Sequence, residues 1–200
     1  MKKQIISLII IIFSLISFHT NASEQNWKPA QDGDKIILIR HAKAPGGGDP
    51  EGFKIKDCKT QRNLDEAGIN QSKKIGKLFK EKKIKIDQVL SSQWCRCKDT
   101  AKYAFGDFKE FSALNSTYTP PYDQNEKQQI KDLKSYVNKW KGKGGNLVLV
   151  THYVIILAIT GETARSGEIV ITDKNFKVLS TIKTFIEYLI LITVGYFIFF

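Results

Sequence analysis

The sequence predicts an α/β domain with a mostly parallel central sheet and helices on both faces. Two runs of β-favouring apolar residues, Ile36–Ile39 and Leu147–Val150, are typical of strands buried on both sides. Between and after these runs, strand-like and helix-like segments alternate, which favours parallel strands joined by crossover helices. A chain of 200 residues is long enough for one such domain with a proper core.

The predicted strands follow from short apolar runs that end at turn or polar residues. They cover Lys35–Arg40, Ile86–Leu90, a short Phe108–Phe111, Leu147–Thr151, and a pair at Glu168–Thr172 and Lys177–Ile182. Residues 23–33 form a polar lead-in to the first strand, and residues 44–59 form a loop rich in glycine and proline. Ser112–Asn125 contains two prolines and is predicted as a second long loop.

The predicted helices follow from apolar residues at helical spacing. They cover Leu64–Lys82, Gln93–Phe105, Glu126–Lys141 and Val154–Thr160. The first of them has Asp65 in the position of an N-cap, and the last ends at Gly161.

The first 22 residues have the pattern of a secretory signal peptide. Lys2 and Lys3 precede an apolar stretch over residues 5–18, and the small residues of Thr20-Asn21-Ala22 suit a cleavage site. An uncleaved anchor is the alternative, but the stretch is shorter than the about 20 apolar residues that a span needs. We therefore predict a signal peptide over residues 1–22, a domain over 23–182, and export to the periplasm or an equivalent compartment.

The charge favours an anionic partner. The chain carries a formal net charge of +11, and removal of the signal peptide leaves +9. Such an excess suits phosphorylated small molecules. No lysine run alternates with aromatic residues on one element, so nucleic acid is not predicted as a partner.

Residues 183–200 form an apolar C-terminal tail of uncertain role. The segment from Tyr188 onward is nearly free of polar residues but too short to span a bilayer unaided. A buried terminal helix, a membrane contact and a segment without a selected role all stay open, as does the oligomeric state.

Three cysteines, Cys58, Cys95 and Cys97, would meet an oxidising compartment after export. One disulfide and one thiol is the simplest arrangement, and Cys58 could pair with either of the other two. The bond would tie the loop after His41 to the segment that contains Arg96. No metal or other cofactor is predicted, because Cys-x-Cys without a second pair is a poor zinc signature.

Cationic and imidazole side chains follow three of the predicted strands. Arg40-His41 ends the first, Ser91-Ser92 with nearby Arg96 ends the second, and Thr151-His152 ends the fourth. Ligands of open α/β sheets bind beyond the carboxyl ends of the strands. The guanidinium group of arginine binds phosphate through two parallel hydrogen bonds, and a neutral imidazole can accept a phosphoryl group. Together these residues suit phosphoryl transfer through a phosphohistidine.

The same residues fall into a known family pattern. The chain resembles the histidine phosphatase superfamily, which has the phosphoglycerate-mutase-like fold, in its Arg40-His41-Ala42, Leu64–Gly68, Ser91–Ala101 and Thr151-His152 motifs. The resemblance implies a three-layer fold, with His41 as the nucleophile and Arg40, Arg96 and His152 as the phosphate pocket. Arg62 is a further candidate for substrate binding.

The export signal and the cysteines resemble the exported branch that includes lipopolysaccharide-core heptose phosphatases. The chain departs from the family where many relatives carry an acidic general acid, because the matching stretch is Leu114-Asn115-Ser116. Glu110, Asp123 and Glu126 lie nearby in sequence, and none is preferred. Without a strong acid, substrates with good leaving groups are favoured.

The predicted function is an exported phosphatase of the histidine acid phosphatase type, acting on a phosphomonoester such as a phosphorylated sugar. A phosphomutase or a protein phosphohistidine phosphatase is the first alternative. A non-catalytic anion-binding protein with the same pocket is the second.

Overall fold

The computed structural model describes residues 24–184, which form five helices and six strands. The helices are α1 (24–31), α2 (Glu66–Glu81), α3 (Cys95–Phe105), α4 (Glu126–Lys139) and α5 (Tyr153–Thr160). The strands are β1 (Ile36–Arg40), β2 (Ile86–Ser91), β3 (Lys109–Glu110), β4 (Asn146–Thr151), β5 (Ile169–Thr172) and β6 (Val178–Ile182). Short 3₁₀ turns at Cys58–Thr60, Ser112–Leu114 and Asp123–Asn125 interrupt the two long loops.

One mixed sheet contains all six strands in the order β3-β2-β4-β1-β5-β6. The pairs β2–β3, β2–β4 and β1–β4 are parallel, whereas β1–β5 and β5–β6 are antiparallel. The prediction of a mostly parallel α/β sheet is confirmed. Because β1, β4 and β2 are parallel neighbours, their carboxyl ends meet at one edge of the sheet.

The alternation of side chains along β1 divides the core into two layers. Ile37 and Ile39 face one cluster with the apolar residues of α1, α2 and α3, and Ile36 and Leu38 face another with those of α4 and α5. All four isoleucine and leucine side chains are fully buried. Helices therefore cover both faces, as predicted for strands without a polar side.

The prediction of a polar lead-in over residues 23–33 is wrong, because α1 occupies most of this segment. Trp27 and Ala30, three residues apart, are buried against the sheet, and the Trp27 ring meets Phe79 edge-on at a centroid distance of 5.5 Å. The amide of Asn146 donates a hydrogen bond of 2.8 Å to the Ala30 carbonyl. Two buried positions in a charged segment are too few to produce a visible helical period.

The start of α2 explains two residues of the Leu64–Gly68 motif, Asp65 and Gly68. Asp65 is the N-cap, and its Oδ1 accepts a 2.7 Å hydrogen bond from the Gly68 amide. A Cβ on Gly68 would lie 2.0 Å from the Lys43 carbonyl oxygen. Glycine therefore lets α2 pack directly against the backbone that follows His41.

The predicted signal peptide and all but two residues of the predicted tail lie outside the described residues. Within residues 24–184, no helix is both long and apolar enough to cross a bilayer.

Candidate active site

The two histidines of the described chain lie together at the carboxyl edge of the sheet. His41 follows β1 and His152 follows β4, and their ring centroids are 5.4 Å apart. Both are almost completely buried. The geometry thus brings together two of the residues that the sequence predicted for the site.

His41 is oriented by the backbone on both sides of it. Its amide donates a 2.9 Å hydrogen bond to the Thr151 carbonyl, and its Nδ1 lies 2.8 Å from the Ala42 carbonyl oxygen. A carbonyl oxygen can only accept, so Nδ1 carries the proton in this contact. In the neutral ring, Nε2 then holds the lone pair, and it makes no hydrogen bond within residues 24–184.

Thr100 holds the backbone beside His41. Its Oγ1 accepts a 2.9 Å hydrogen bond from the Ala42 amide and donates one of 2.7 Å to the Arg96 carbonyl. The hydroxyl is fully buried. The four-residue spacing between Arg96 and Thr100 therefore lets Thr100 join α3 to the residue that orients the imidazole.

His152 is held from the other side by small polar groups. Its Nε2 lies 3.0 Å from Ser92 Oγ and 3.4 Å from Cys97 Sγ. The Trp94 ring meets the imidazole edge-on at 5.5 Å. Of the two predicted serines, Ser92 contacts the site, whereas Ser91 donates its hydroxyl to the Ser92 carbonyl.

Three guanidinium groups surround the histidines. Arg40 donates to the Ala164 carbonyl at 2.9 Å and lies 5.1 Å from the centre of the Tyr153 ring, and Arg62 donates to the Ala44 carbonyl. Arg40, Arg62 and Arg96 each keep a buried Nε–H that has no partner in the described part of the chain. Buried donors normally find an acceptor, so these three groups fit the oxygens of an incoming anion.

The arginines and burial act together on the imidazoles. Burial lowers the pKa of His41 well below its ordinary value, and the charges of Arg96 and Arg40 lower it further, against a smaller opposing effect of the Ala42 carbonyl. Burial and then Arg96 lower the pKa of His152 in the same direction. Both rings are therefore neutral at neutral pH.

Asp49 is a site residue that the sequence analysis missed. Its Oδ1 accepts hydrogen bonds from Arg96 Nη1 (2.7 Å) and the Arg62 amide (3.1 Å), and its Oδ2 accepts from Arg96 Nη2 (3.1 Å) and Trp94 Nε1 (2.9 Å). Burial alone would raise the pKa of Asp49, but the hydrogen bonds and charge of Arg96, with the Trp94 hydrogen bond, lower it overall. Next to three glycines and a proline, this aspartate has the sequence signature of an ordinary turn residue.

The disulfide joins Cys58 to Cys95, so the open choice between Cys95 and Cys97 is resolved by the structure. Cys97 is a free, buried thiol in the site, and burial raises its pKa to about 12. The bond connects the loop after His41 to the first turn of α3, beside Arg96. Within residues 24–184, no cluster of three or more His, Cys, Asp or Glu side chains is arranged to hold a metal ion.

The position of the missing general acid contains an amide network. Asn115 Oδ1 accepts from Ser92 Oγ (3.2 Å) and the Gln93 amide (2.9 Å). Glu126 accepts from the Thr117 hydroxyl at 3.1 Å, and Glu110 pairs with Lys98 at 3.2 Å. Glu126 and Glu110 therefore bind partners other than the two histidines.

Comparison with known proteins agrees with this geometry. Residues 36–115 match the profile of the histidine phosphatase superfamily (branch 1). This match covers less than half of the chain and agrees with the superfamily that the motifs indicated. No curated protein sequence matches the chain.

Solved structures with the same fold are distant in sequence. One is named as a phosphohistidine phosphatase, SixA, from Agrobacterium tumefaciens; it is 20% identical, with a TM-score of 0.52 over 75% of this chain and 97% of that one. Another is named as an alpha-ribazole-5'-P phosphatase from Escherichia coli K-12; it is 14% identical, with a TM-score of 0.55 over 78% and 98%. A protein histidine phosphatase SixA in complex with tungstate is 13% identical, with a TM-score of 0.51 over 75% and 97%. These likenesses establish the phosphoglycerate-mutase-like fold, whereas the resemblance to exported heptose phosphatases stays a prediction.

Proposed function

We propose that the protein is an exported phosphatase that hydrolyses a phosphomonoester through a phosphohistidine on His41. One observation carries this proposal: His41 has Nδ1 bound to a carbonyl and Nε2 unpartnered, among three arginines with unpartnered Nε–H groups. Such an arrangement supplies a nucleophile and a cationic pocket without a metal ion.

The reaction has two steps. The Nε2 lone pair of His41 forms a bond to phosphorus as the bond from phosphorus to the ester oxygen breaks, and the departing oxygen takes up a proton from solvent. A water molecule then attacks the phosphorus and breaks the bond to Nε2. Inorganic phosphate leaves, and His41 is neutral again.

The other site residues stabilise the phosphoryl group. Arg40, Arg62 and Arg96 would donate to its oxygens, and His152 would donate once the negative charge of the bound substrate favours its protonated form, with the proton taken from solvent. The lowered pKa of His41 keeps the nucleophile neutral at mildly acidic pH. This direction supports the finer assignment to the histidine acid phosphatase type.

The leaving group is limited by the missing general acid. The amide network of Asn115 offers no carboxylate to protonate an alkoxide, so substrates whose leaving group is stable without a proton are favoured. We propose a small phosphorylated anion, with a phosphorylated sugar as one candidate. A phosphohistidine in a protein is the second candidate, because imidazole leaves more easily than an alkoxide and the A. tumefaciens neighbour is named for that activity.

The experiment uses the purified mature protein and its His41→Ala variant. Both are incubated with an aryl phosphate, a sugar phosphate and a phosphohistidine-containing protein, and the products and any protein-bound phosphate are measured. We expect acid-labile, base-stable phosphate on the wild type and none on His41→Ala, and Lys131→Ala, on the solvent-facing side of α4, serves as the control. Turnover by His41→Ala would refute the mechanism, and phosphate binding without turnover would favour the anion-binding alternative. Transfer of the phosphate to a second alcohol would favour a mutase.

Export is part of the proposal. It is supported by the charge and apolar pattern of residues 1–22 and by the Cys58–Cys95 bond, which is typical of oxidising compartments. The proposed mature domain covers residues 23–182, and contact of the following tail with a membrane stays a prediction.

A further inference from the structure

Asp49 is tied to the site more tightly than any turn requires. Its carboxylate accepts four hydrogen bonds, two of them from the terminal nitrogens of Arg96, and its side chain is only 9% exposed. We propose that Asp49 is a positioning residue that sets the orientation of Arg96 for phosphate binding. This inference rests on the proposed function.

The contacts argue against a role for Asp49 as the missing general acid. Each of its oxygens already accepts two hydrogen bonds from N–H groups, which leaves no site for the proton that an acid must carry. Two of the donors belong to a permanently charged guanidinium. The carboxylate is therefore an acceptor in this position.

The contacts also explain what Asp49 does to Arg96. With Nη1 and Nη2 both bound to the carboxylate, the guanidinium plane cannot rotate without breaking a bidentate pair. The Nε–H is then the donor left without a partner, and it is buried. Asp49 thereby fixes which edge of Arg96 a phosphoryl oxygen can meet.

One carboxylate also connects Arg96 to the rest of the site. Asp49 accepts from the Arg62 amide and from the indole of Trp94, whose ring packs against His152. A displacement of Asp49 would therefore disturb two pocket arginines and a neighbour of the second histidine together.

The opposite expectation is that Asp49 competes with phosphate for Arg96. Removal of its charge would then strengthen phosphate binding. We expect the loss of orientation to dominate, because Arg96 is 3% exposed and its terminal nitrogens would have to find new acceptors inside the protein.

The test measures the binding of inorganic phosphate by calorimetry, which needs no turnover, to the wild type, Asp49→Asn and Asp49→Glu. The control is Asp87→Asn: Asp87 accepts a 2.6 Å hydrogen bond from the Lys143 amide at the amino end of β2, away from the site. We expect Asp49→Asn to bind phosphate roughly 10- to 100-fold more weakly, the size of one charge-assisted hydrogen bond. KM for an aryl and an alkyl phosphate should rise by the same factor, and Asp87→Asn should bind as the wild type does.

Unchanged or tighter phosphate binding by Asp49→Asn would show that the carboxylate competes with phosphate or is irrelevant to it. A fall in kcat confined to the alkyl phosphate, with binding unchanged, would make Asp49 an acid. If Asp49→Asn does not fold, Asp49→Glu decides, because it keeps the charge but moves the carboxylate: weaker phosphate binding supports the proposal and wild-type binding overturns it. A wild type that binds no phosphate would instead overturn the proposed function.

Discussion

Thr100 offers a sharp test of how the fold positions His41, the proposed nucleophile. In Thr100→Val a methyl group replaces the hydroxyl, and the buried Ala42 amide loses its acceptor. An unsatisfied buried donor costs about 1–3 kcal/mol. For a domain of this size, in which 1 kcal/mol shifts the melting temperature by about 2–4 °C, we expect a fall of roughly 2–12 °C.

The same change should lower activity, since Ala42 supplies the carbonyl that binds His41 Nδ1. Small misplacements of a reacting group cost about 10- to 100-fold in rate. The assays are urea unfolding and kcat/KM for an aryl phosphate, with Thr100→Ser as the matched control. Serine keeps both hydrogen bonds and loses only a methyl group, at about 1 kcal/mol. Equal activity of the valine and serine variants would refute the argument that this hydroxyl positions the imidazole.

Three further predictions concern pH, the disulfide and export. The pKa values of His41 and His152 are lower in the folded protein, so the unfolded chain binds more protons below about pH 6.5. The free energy of unfolding should therefore fall as the pH drops through that range. Urea titrations between pH 7.5 and 5 measure this, and a rise in stability toward pH 5 would contradict it. Cys58→Ser opens a loop with a sequence separation of 37 and should cost up to about 4 kcal/mol, whereas Cys97→Ser keeps the bond. Exported protein should begin near Ser23 and yield the disulfide-linked peptide under non-reducing digestion. Free alkylation of both Cys58 and Cys95 would refute the bond, and an intact Met1 on a soluble product would count against export.

The sheet and both histidines could be predicted because their signals are local. A fully buried strand is apolar at every position, and a His or Arg directly after it stands out, as in Ile36–His41. Parallel neighbours then bring the strand ends together without any further information. Arg96 does not follow a strand directly, and its place in the site was predicted from the resemblance of the Ser91–Ala101 motif to the family pattern.

The remaining features depend on contacts between distant segments. Asp49 reaches Arg96 across 47 residues, and only the path of the loop brings them together. The partner of Cys58 depends on which face of the first turn of α3 meets that loop, a difference that the two-residue spacing of Cys95 and Cys97 does not encode. Helix α1 was missed because tertiary burial of Trp27, rather than a periodic pattern, stabilises it.

The charges of the site explain why its histidines must be neutral before substrate binds. Three guanidinium groups and the Asp49 carboxylate give the described pocket a fixed charge of +2, the complement of a phosphomonoester dianion. Burial lowers the pKa of both histidines, because it disfavours a charged ring. Arg96 lowers both pKa values further, because a proton on either histidine would add a third uncompensated positive charge next to it. In the proposed reaction, arrival of the dianion reverses this balance and favours a proton on His152, the ring that is not the proposed nucleophile. The proposed role of Asp49 then has two parts, which are to orient Arg96 and to keep the pocket charge matched to a single phosphate group.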